Sequence, residues 1–159
     1  NTSDVLKNLG FIPKLIMKLK LFLNKKIPTI VGLDHISYRI NPIDRWFNFY
    51  FEAKERGLDP LWTINHGWIS GIYYKDPDGN LVEIFFEHFS SAEEFKSNIS
   101  PDFEDEPIGT NMDVEVLYEM YKAGSDFSEL ITKGNTVPEG KKPVSGFDAV
   151  VNMKKKFKD

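Results

Sequence analysis

The chain contains no cysteine, and it has only three histidines among its 159 residues. Disulfides and thiolate ligands are therefore excluded, so any metal site must be built from imidazole and carboxylate groups. The formal net charge of −4 offers no surface for a polyanion, which argues against nucleic acid as a partner. No apolar run reaches the roughly 18 residues that a membrane-spanning helix needs. We expect one cytoplasmic domain with a proper core and no membrane span.

What the sequence does contain is a marked chain reversal at residues 76–79, with the sequence DPDG. Proline fixes φ near about −65° and glycine accepts a positive φ, so these residues predict a tight turn between two strands. In the strand that follows, alternation places Glu83 on one face together with Leu81 and Phe85. A carboxylate in such an apolar hairpin is either exposed on an edge strand or buried beside a partner or a metal.

Two further stretches carry polar groups that could meet Glu83. Residues 33–40 alternate in the same way, with His35, Ser37 and Arg39 on one face. Residues 65–67, with the sequence NHG, close another short strand and place His66 on a turn. A histidine and a glutamate on separate strands that face one cavity suit a divalent first-row metal.

Together these motifs resemble the vicinal-oxygen-chelate superfamily. The matching parts are the GLDHISY strand at 32–38, the NHG turn at 65–67, the YYKDPDGN turn at 73–80, and Glu83. Their order and spacing are most similar to the C-terminal module of extradiol dioxygenases and to glyoxalase-like relatives, over roughly residues 30–132. The resemblance implies an α+β fold, a single β-α-β-β-β module with flanking helices and without the first module of the usual pair.

The chain divides into three predicted parts. Residues 1–28 are a basic amphipathic helical segment, a remnant or linker, which packs on the domain or a partner or else lies on an anionic membrane. Residues 29–133 are the module and its C-terminal helices. Residues 134–159 are a flexible basic tail, and the lysine-rich residues 154–158 within it are alternatively a nucleic-acid or localisation patch. The acidic residues 102–106 are expected to form a solvated loop.

Within the module, periodicity predicts one long helix at residues 42–56 and four strands. Asn41 is expected to cap the helix and Gly57 to end it, while Trp46 and Phe47 face the core rather than a cofactor. Downstream, Ser90 or Ser91 caps a short helix, and Asp113 caps another that Gly124 ends. The strands are expected around His35 and at residues 60–64, 69–75 and 80–87.

The resemblance also implies roles for four side chains. In extradiol dioxygenases, two histidines and one carboxylate hold a non-haem Fe(II) and leave positions open for catecholate and O2. By this resemblance His35 and Glu83 are metal ligands, His66 lines the substrate pocket, and Tyr73 hydrogen-bonds the substrate. The alternative for His66 is an ordinary surface-loop histidine. No histidine precedes His35, so the other imidazole of the triad has no match, and we expect no catechol cleavage by this chain as a monomer.

Three functions remain open on this basis. The first is the C-terminal part of an Fe(II)-dependent extradiol dioxygenase that acts on a small aromatic diol. The second is a single-module protein that forms a homodimer and completes a site for Fe(II) or another divalent metal in trans, as glyoxalase-like and fosfomycin-resistance-like proteins do. The third is a non-catalytic remnant that serves as a binding module.

Overall fold

The fold comes from a computed structural model, which describes residues 34–98, 103, 106–146 and 148. The predicted helical segment at residues 1–28 and the lysine-rich end of the tail lie outside the described residues. Most of the predicted acidic loop does so as well. In the part that is described, no helix is long and apolar enough to cross a membrane.

The described residues form a five-stranded mixed sheet. Its strands are β1 Ile36–Arg39, β2 Trp62–Asn65, β3 Ile69–Lys75, β4 Leu81–Glu87 and β5 Thr110–Asn111. They lie in the order β1-β4-β3-β2-β5, with β1 parallel to β4 and the other three pairings antiparallel. The predicted turn joins β3 to β4, where Gly79 has a φ of +89° and Asp76 Oδ1 accepts a hydrogen bond from Asn80 N at 2.7 Å.

Four helices accompany the sheet in the described residues: α1 Ile43–Glu55, α2 Ala92–Asn98, α3 Val114–Lys122 and α4 Phe127–Ile131. The predicted caps of α2 and α3 are confirmed. Ser91 Oγ accepts from Glu94 N at 3.1 Å, which satisfies one free amide of the first turn of α2. The Asp113 carboxylate accepts from the first-turn amides of α3, at 2.9 and 3.2 Å.

The core lies between one face of the sheet and the helices α1, α3 and α4. Trp46 and Phe47 are fully buried there, as the periodicity of α1 predicts, and Trp46 Nε1 donates to Ile84 O at 3.0 Å. Truncation of one such aromatic side chain to alanine costs about 3–5 kcal/mol. The order β1-α1-β2-β3-β4 and the α+β class are as predicted, and they are consistent with a vicinal-oxygen-chelate module.

The predicted cap of α1 is wrong. Asn41 makes no capping bond, because its Oδ1 accepts from Glu87 N at 3.1 Å and so ties the entry of α1 to the end of β4. The helix begins at Ile43 without a side-chain cap. A long-range bond of this kind leaves no local signature in the sequence.

The edge of the sheet also differs from the four-stranded expectation. β5 is only two residues long, too short to show alternation, and it pairs with β2. Parts of the predicted tail are bonded nearby: Asp113 N donates to Thr136 O at 2.6 Å, and Asn111 N donates to Val144 O at 3.0 Å. Residues 136 and 144 are therefore hydrogen-bonded to the segment that carries β5.

Candidate functional site

A row of four side chains crosses the sheet on the face opposite the core. The strand register pairs Ser37 with Glu83, Glu83 with Tyr73, and Tyr73 with Trp62. Directly paired residues project from the same face of a sheet, so the four side chains are neighbours. The predicted alternation around Glu83 therefore places its carboxylate on the side away from the helices.

Glu83 is the centre of this face, and it is only 3% exposed. Ser37 Oγ donates to its Oε2 at 2.6 Å, and His35 Nε2 lies 3.3 Å from the same oxygen. The other oxygen, Oε1, is buried without a hydrogen-bond partner and lies 3.6 Å from His66 Nε2.

The charge on this carboxylate is maintained by its surroundings. Burial alone would raise the pKa of Glu83. Polar interactions with His66, Ser37 and Tyr73 outweigh burial and lower the pKa below its ordinary value. The carboxylate is therefore anionic at neutral pH, and one of its oxygens has no hydrogen-bond partner.

Gly71 provides the space that the carboxylate occupies. A Cβ at this position on β3 would overlap Glu83 Oε1 and would lie 3.3 Å from the carboxyl carbon. Because the backbone of Gly71 has no positive φ, the constraint is steric rather than conformational. The glycine is thus part of the cradle that holds Glu83.

Both histidines on this face are held through Nδ1. His35 Nδ1 lies 2.7 Å from Asp34 Oδ2, and His66 Nδ1 lies 2.6 Å from the carbonyl oxygen of Ile108. Oxygens of these kinds accept hydrogen bonds, so each Nδ1 carries a proton. Both Nε2 atoms then face the Glu83 carboxylate, so a cation shared between an imidazole and the carboxylate, whether a proton or a metal ion, is stabilised there.

Tyr73 closes the site on the other side. It is 4% exposed, its ring stacks on Trp62 with centroids 5.0 Å apart, and its hydroxyl lies 3.4 Å from His66 Nε2. Burial, followed by the charge of Glu83, raises the pKa of Tyr73 well above its ordinary value. The phenol therefore stays protonated and acts as a hydrogen-bond donor.

The fit of a metal to these residues is partial. Two ligands held at about 2.1 Å and at right angles lie about 3 Å apart, and His35 Nε2 and Glu83 Oε2 are 3.3 Å apart. The buried, unpartnered oxygen of Glu83 also favours a cation. Among the described residues, however, no group of three histidine, aspartate or glutamate side chains could hold a metal ion.

The chain is similar to two biphenyl-2,3-diol 1,2-dioxygenases of Rhodococcus globerulus. It is 31% identical to enzyme 3 over 112 residues, which are 70% of this chain and 59% of that enzyme. It is 28% identical to enzyme 2 over 111 residues, which are 69% of this chain and 58% of that enzyme. The chain therefore spans less than two thirds of either relative. No protein-family model matches it, and no solved structure matches it significantly.

This similarity supports, at a coarse level, the relationship to extradiol dioxygenases that the motifs indicate. The four residues singled out in the sequence, His35, His66, Tyr73 and Glu83, do lie together on one face.

His88 is excluded from this face. It follows β4 on the core side, is 4% exposed, and its Nε2 lies 2.8 Å from Ser70 Oγ. Burial lowers the pKa of its imidazole to about 3. It is therefore a buried neutral histidine, and it offers no ligand to the Glu83 site.

Other contributors were missed in the sequence. Asp34 precedes His35 directly, and the alternation of β1 put Ser37 on the right face, so both carried a usable signal. The carbonyl of Ile108 carried none, because it lies 42 residues beyond His66 along the chain. Trp62 was assigned to a strand, but its stacking on Tyr73 depends on register.

Proposed function

We propose that this chain is the C-terminal, metal-binding part of an Fe(II)-dependent extradiol dioxygenase that cleaves catechol-type aromatic diols. Its fold is then a vicinal-oxygen-chelate module. The observation that carries the proposal is the pairing of His35 Nε2 with the buried Glu83 carboxylate at 3.3 Å on adjacent strands. Similarity to two biphenyl-2,3-diol 1,2-dioxygenases supports it over about 70% of the chain.

In this proposal His35 and Glu83 are two of the three ligands of the iron. Fe(II) held by two imidazoles and a carboxylate supplies open coordination positions for oxygen chemistry. Ser37 fixes the Glu83 carboxylate through Oε2, and Asp34 orients the His35 ring through Nδ1. The second imidazole of the triad comes from a second chain or from a segment outside this sequence, since this proposal assigns His66 to the substrate and His88 is buried on the core side.

His66 and Tyr73 act on the substrate. Tyr73 remains protonated, so its hydroxyl donates a hydrogen bond to a diol oxygen. His66 presents the Nε2 lone pair and accepts a proton from a diol hydroxyl as that hydroxyl becomes anionic. The stacked rings of Trp62 and Tyr73 provide a flat apolar wall of the kind that an aromatic substrate prefers.

The test combines anaerobic Fe(II) loading, metal analysis, solution molar mass and an assay with biphenyl-2,3-diol as the probe. Glu83→Gln and His35→Ala should each abolish iron retention. Glu87→Gln, on the same strand and face but only half-buried and ion-paired with Arg39, is the matched control and should retain it. The monomer should hold iron weakly and show no ring cleavage.

Iron retention that is unaffected by His35→Ala and Glu83→Gln would refute the assignment of these ligands. Steady ring cleavage by the monomer, lost in Glu83→Gln, would show that a third ligand from another chain is unnecessary.

A second candidate is a homodimer that completes the metal site in trans. It is favoured by the absence of a three-residue metal group among the described residues. In that case, metal binding should rise with the fraction of dimer, and a variant that stays monomeric should lose it. A chain that binds no metal in any oligomeric state would instead be a non-catalytic module.

A further inference from the structure

The turn that carries His66 is held closely from two sides. On one side, Asn65 is 1% exposed, its Oδ1 accepts from Gly67 N at 2.8 Å, and its Nδ2 donates to Ile131 O of α4 at 2.8 Å. On the other side lies Gly109. A Cβ at Gly109 would overlap the carbonyl oxygen of Asn65 and would lie 2.7 Å from His66 Cα. The backbone at residue 109 therefore rests directly on the His66 turn.

A second close contact joins Gly146 to Ile108. A Cβ at Gly146 would overlap Ile108 Cγ2 and would lie 2.9 Å from Ile108 Cβ. Gly146 N also donates to Gly109 O at 2.7 Å, and Ser145 Oγ donates to the Glu106 carboxylate. Residues 145 and 146, which we term the C-terminal clamp, thus contact residues 106–109 directly.

We infer that the C-terminal clamp positions His66 by fixing residues 108 and 109 against its turn. The order of contacts is Gly146 against Ile108, the carbonyl of Ile108 to His66 Nδ1 at 2.6 Å, and Gly109 against the His66 backbone. Because a carbonyl only accepts, this contact keeps the proton of the neutral ring on Nδ1. Nε2, which lies 3.4 Å from the Tyr73 hydroxyl, then carries the lone pair of the neutral ring.

The clamp has a consequence for the proposed function, on which this part of the inference rests. A base that accepts a proton from a diol must present a lone pair within reach of the substrate. If the ring takes the other tautomer, Nε2 carries a proton and loses that capacity. The C-terminal clamp, about 80 residues away in sequence, therefore determines whether His66 can act as a base.

The test reads the tautomer of His66 by long-range ¹H–¹⁵N NMR on the full chain without metal or substrate. Spectra are recorded at alkaline pH, where ordinary imidazoles are neutral. Gly146→Ala pushes Ile108 away, and it should shift the ratio of tautomers toward Nε2–H by roughly fivefold, the effect of losing a hydrogen bond of about 1 kcal/mol. Wild-type protein should show Nδ1–H.

Gly140→Ala is the matched control. It lies in the same C-terminal stretch with nothing near its Cβ, and its φ of +77° makes it destabilising on backbone grounds alone. It should leave the tautomer unchanged. Ser145→Ala removes the bond to Glu106 without adding bulk, and it should give a smaller shift of the tautomer ratio in the same direction. If Gly146→Ala does not fold, Ser145→Ala serves as the test of the inference.

An unchanged tautomer in folded Gly146→Ala, or in Ser145→Ala when Gly146→Ala is unfolded, would overturn the inference. An equal shift in Gly140→Ala would do the same, because it would indicate general destabilisation. The readout needs neither iron nor catalysis. A failure of iron binding or ring cleavage would therefore count against the proposed function and leave this result standing.

Discussion

Glu83 shows how far a single residue can be understood from local sequence. Alternation after the DPDG turn predicted its face, and the apolar neighbours predicted that a buried charge would need partners. The identity of those partners depended on register, which pairs Ser37 with Glu83 across β1 and β4. The need for glycine at position 71 became clear only once β3 was placed beside Glu83.

Gly71→Ala should disturb Glu83 while leaving its charge intact. The added Cβ overlaps Glu83 Oε1, so we expect a loss of about 1–3 kcal/mol in stability and a 10–100-fold loss in divalent metal affinity. Calorimetric titration and urea unfolding measure the two effects. Gly57→Ala is the control, since it has a strained φ of +77° but open space around it. Equal metal affinity in both variants would contradict the role of Gly71.

His88 should make the protein sensitive to acid. Its folded-state pKa is about 3, below the ordinary value of about 6.5 that it regains on unfolding. In this range the unfolded chain binds a proton that the folded chain does not bind. The free energy of unfolding therefore decreases as pH falls from about 6.5 toward 3. Because His88→Gln cannot titrate, its free energy of unfolding should fall by up to about 4 kcal/mol less than that of the wild type over that pH range. If urea unfolding gives the same pH dependence of the free energy of unfolding for wild type and His88→Gln, this prediction is wrong.

Among the helices and strands, regular periodicity was the reliable signal. The stripe on α1 predicted the helix and its buried face, and the alternation of β4 predicted the strand and the face that carries Glu83. Short or long-range features were not predictable: β5 has two residues, and Asn41 uses its side chain on Glu87 N rather than as a cap. Capping was predicted correctly where the bond is local, as at Asp113.

Asp113→Ala should lower stability by about 1 kcal/mol, because two amides of the first turn of α3 lose their acceptor. Asp126 offers a matched control. It occupies the same position before α4 but makes no side-chain capping bond, so Asp126→Ala should cost only a few tenths of a kcal/mol. Chemical denaturation of both variants measures the difference. Equal losses would mean that the capping bond at Asp113 has no net effect.

In the domain as a whole, the sheet brings together on one face four residues separated by up to 48 positions, from His35 to Glu83. The motifs predicted this convergence because strand faces follow from alternation. They could not predict the clamp on His66, which joins residues 66, 108 and 146 through contacts between side chains and backbone and through two glycines. Contacts of this kind have no residue pattern of their own.

The central claim is that His35 and Glu83 are ligands of one divalent cation. A titration with Co(II) that is monitored by paramagnetic NMR tests this claim, and it requires neither turnover nor tight metal binding. We predict shifted signals from the His35 ring and the Glu83 side chain, their loss in Glu83→Gln, and their retention in Glu87→Gln. Signals that persist unchanged in Glu83→Gln, or shifts centred on residues remote from His35 and Glu83, would contradict the claim.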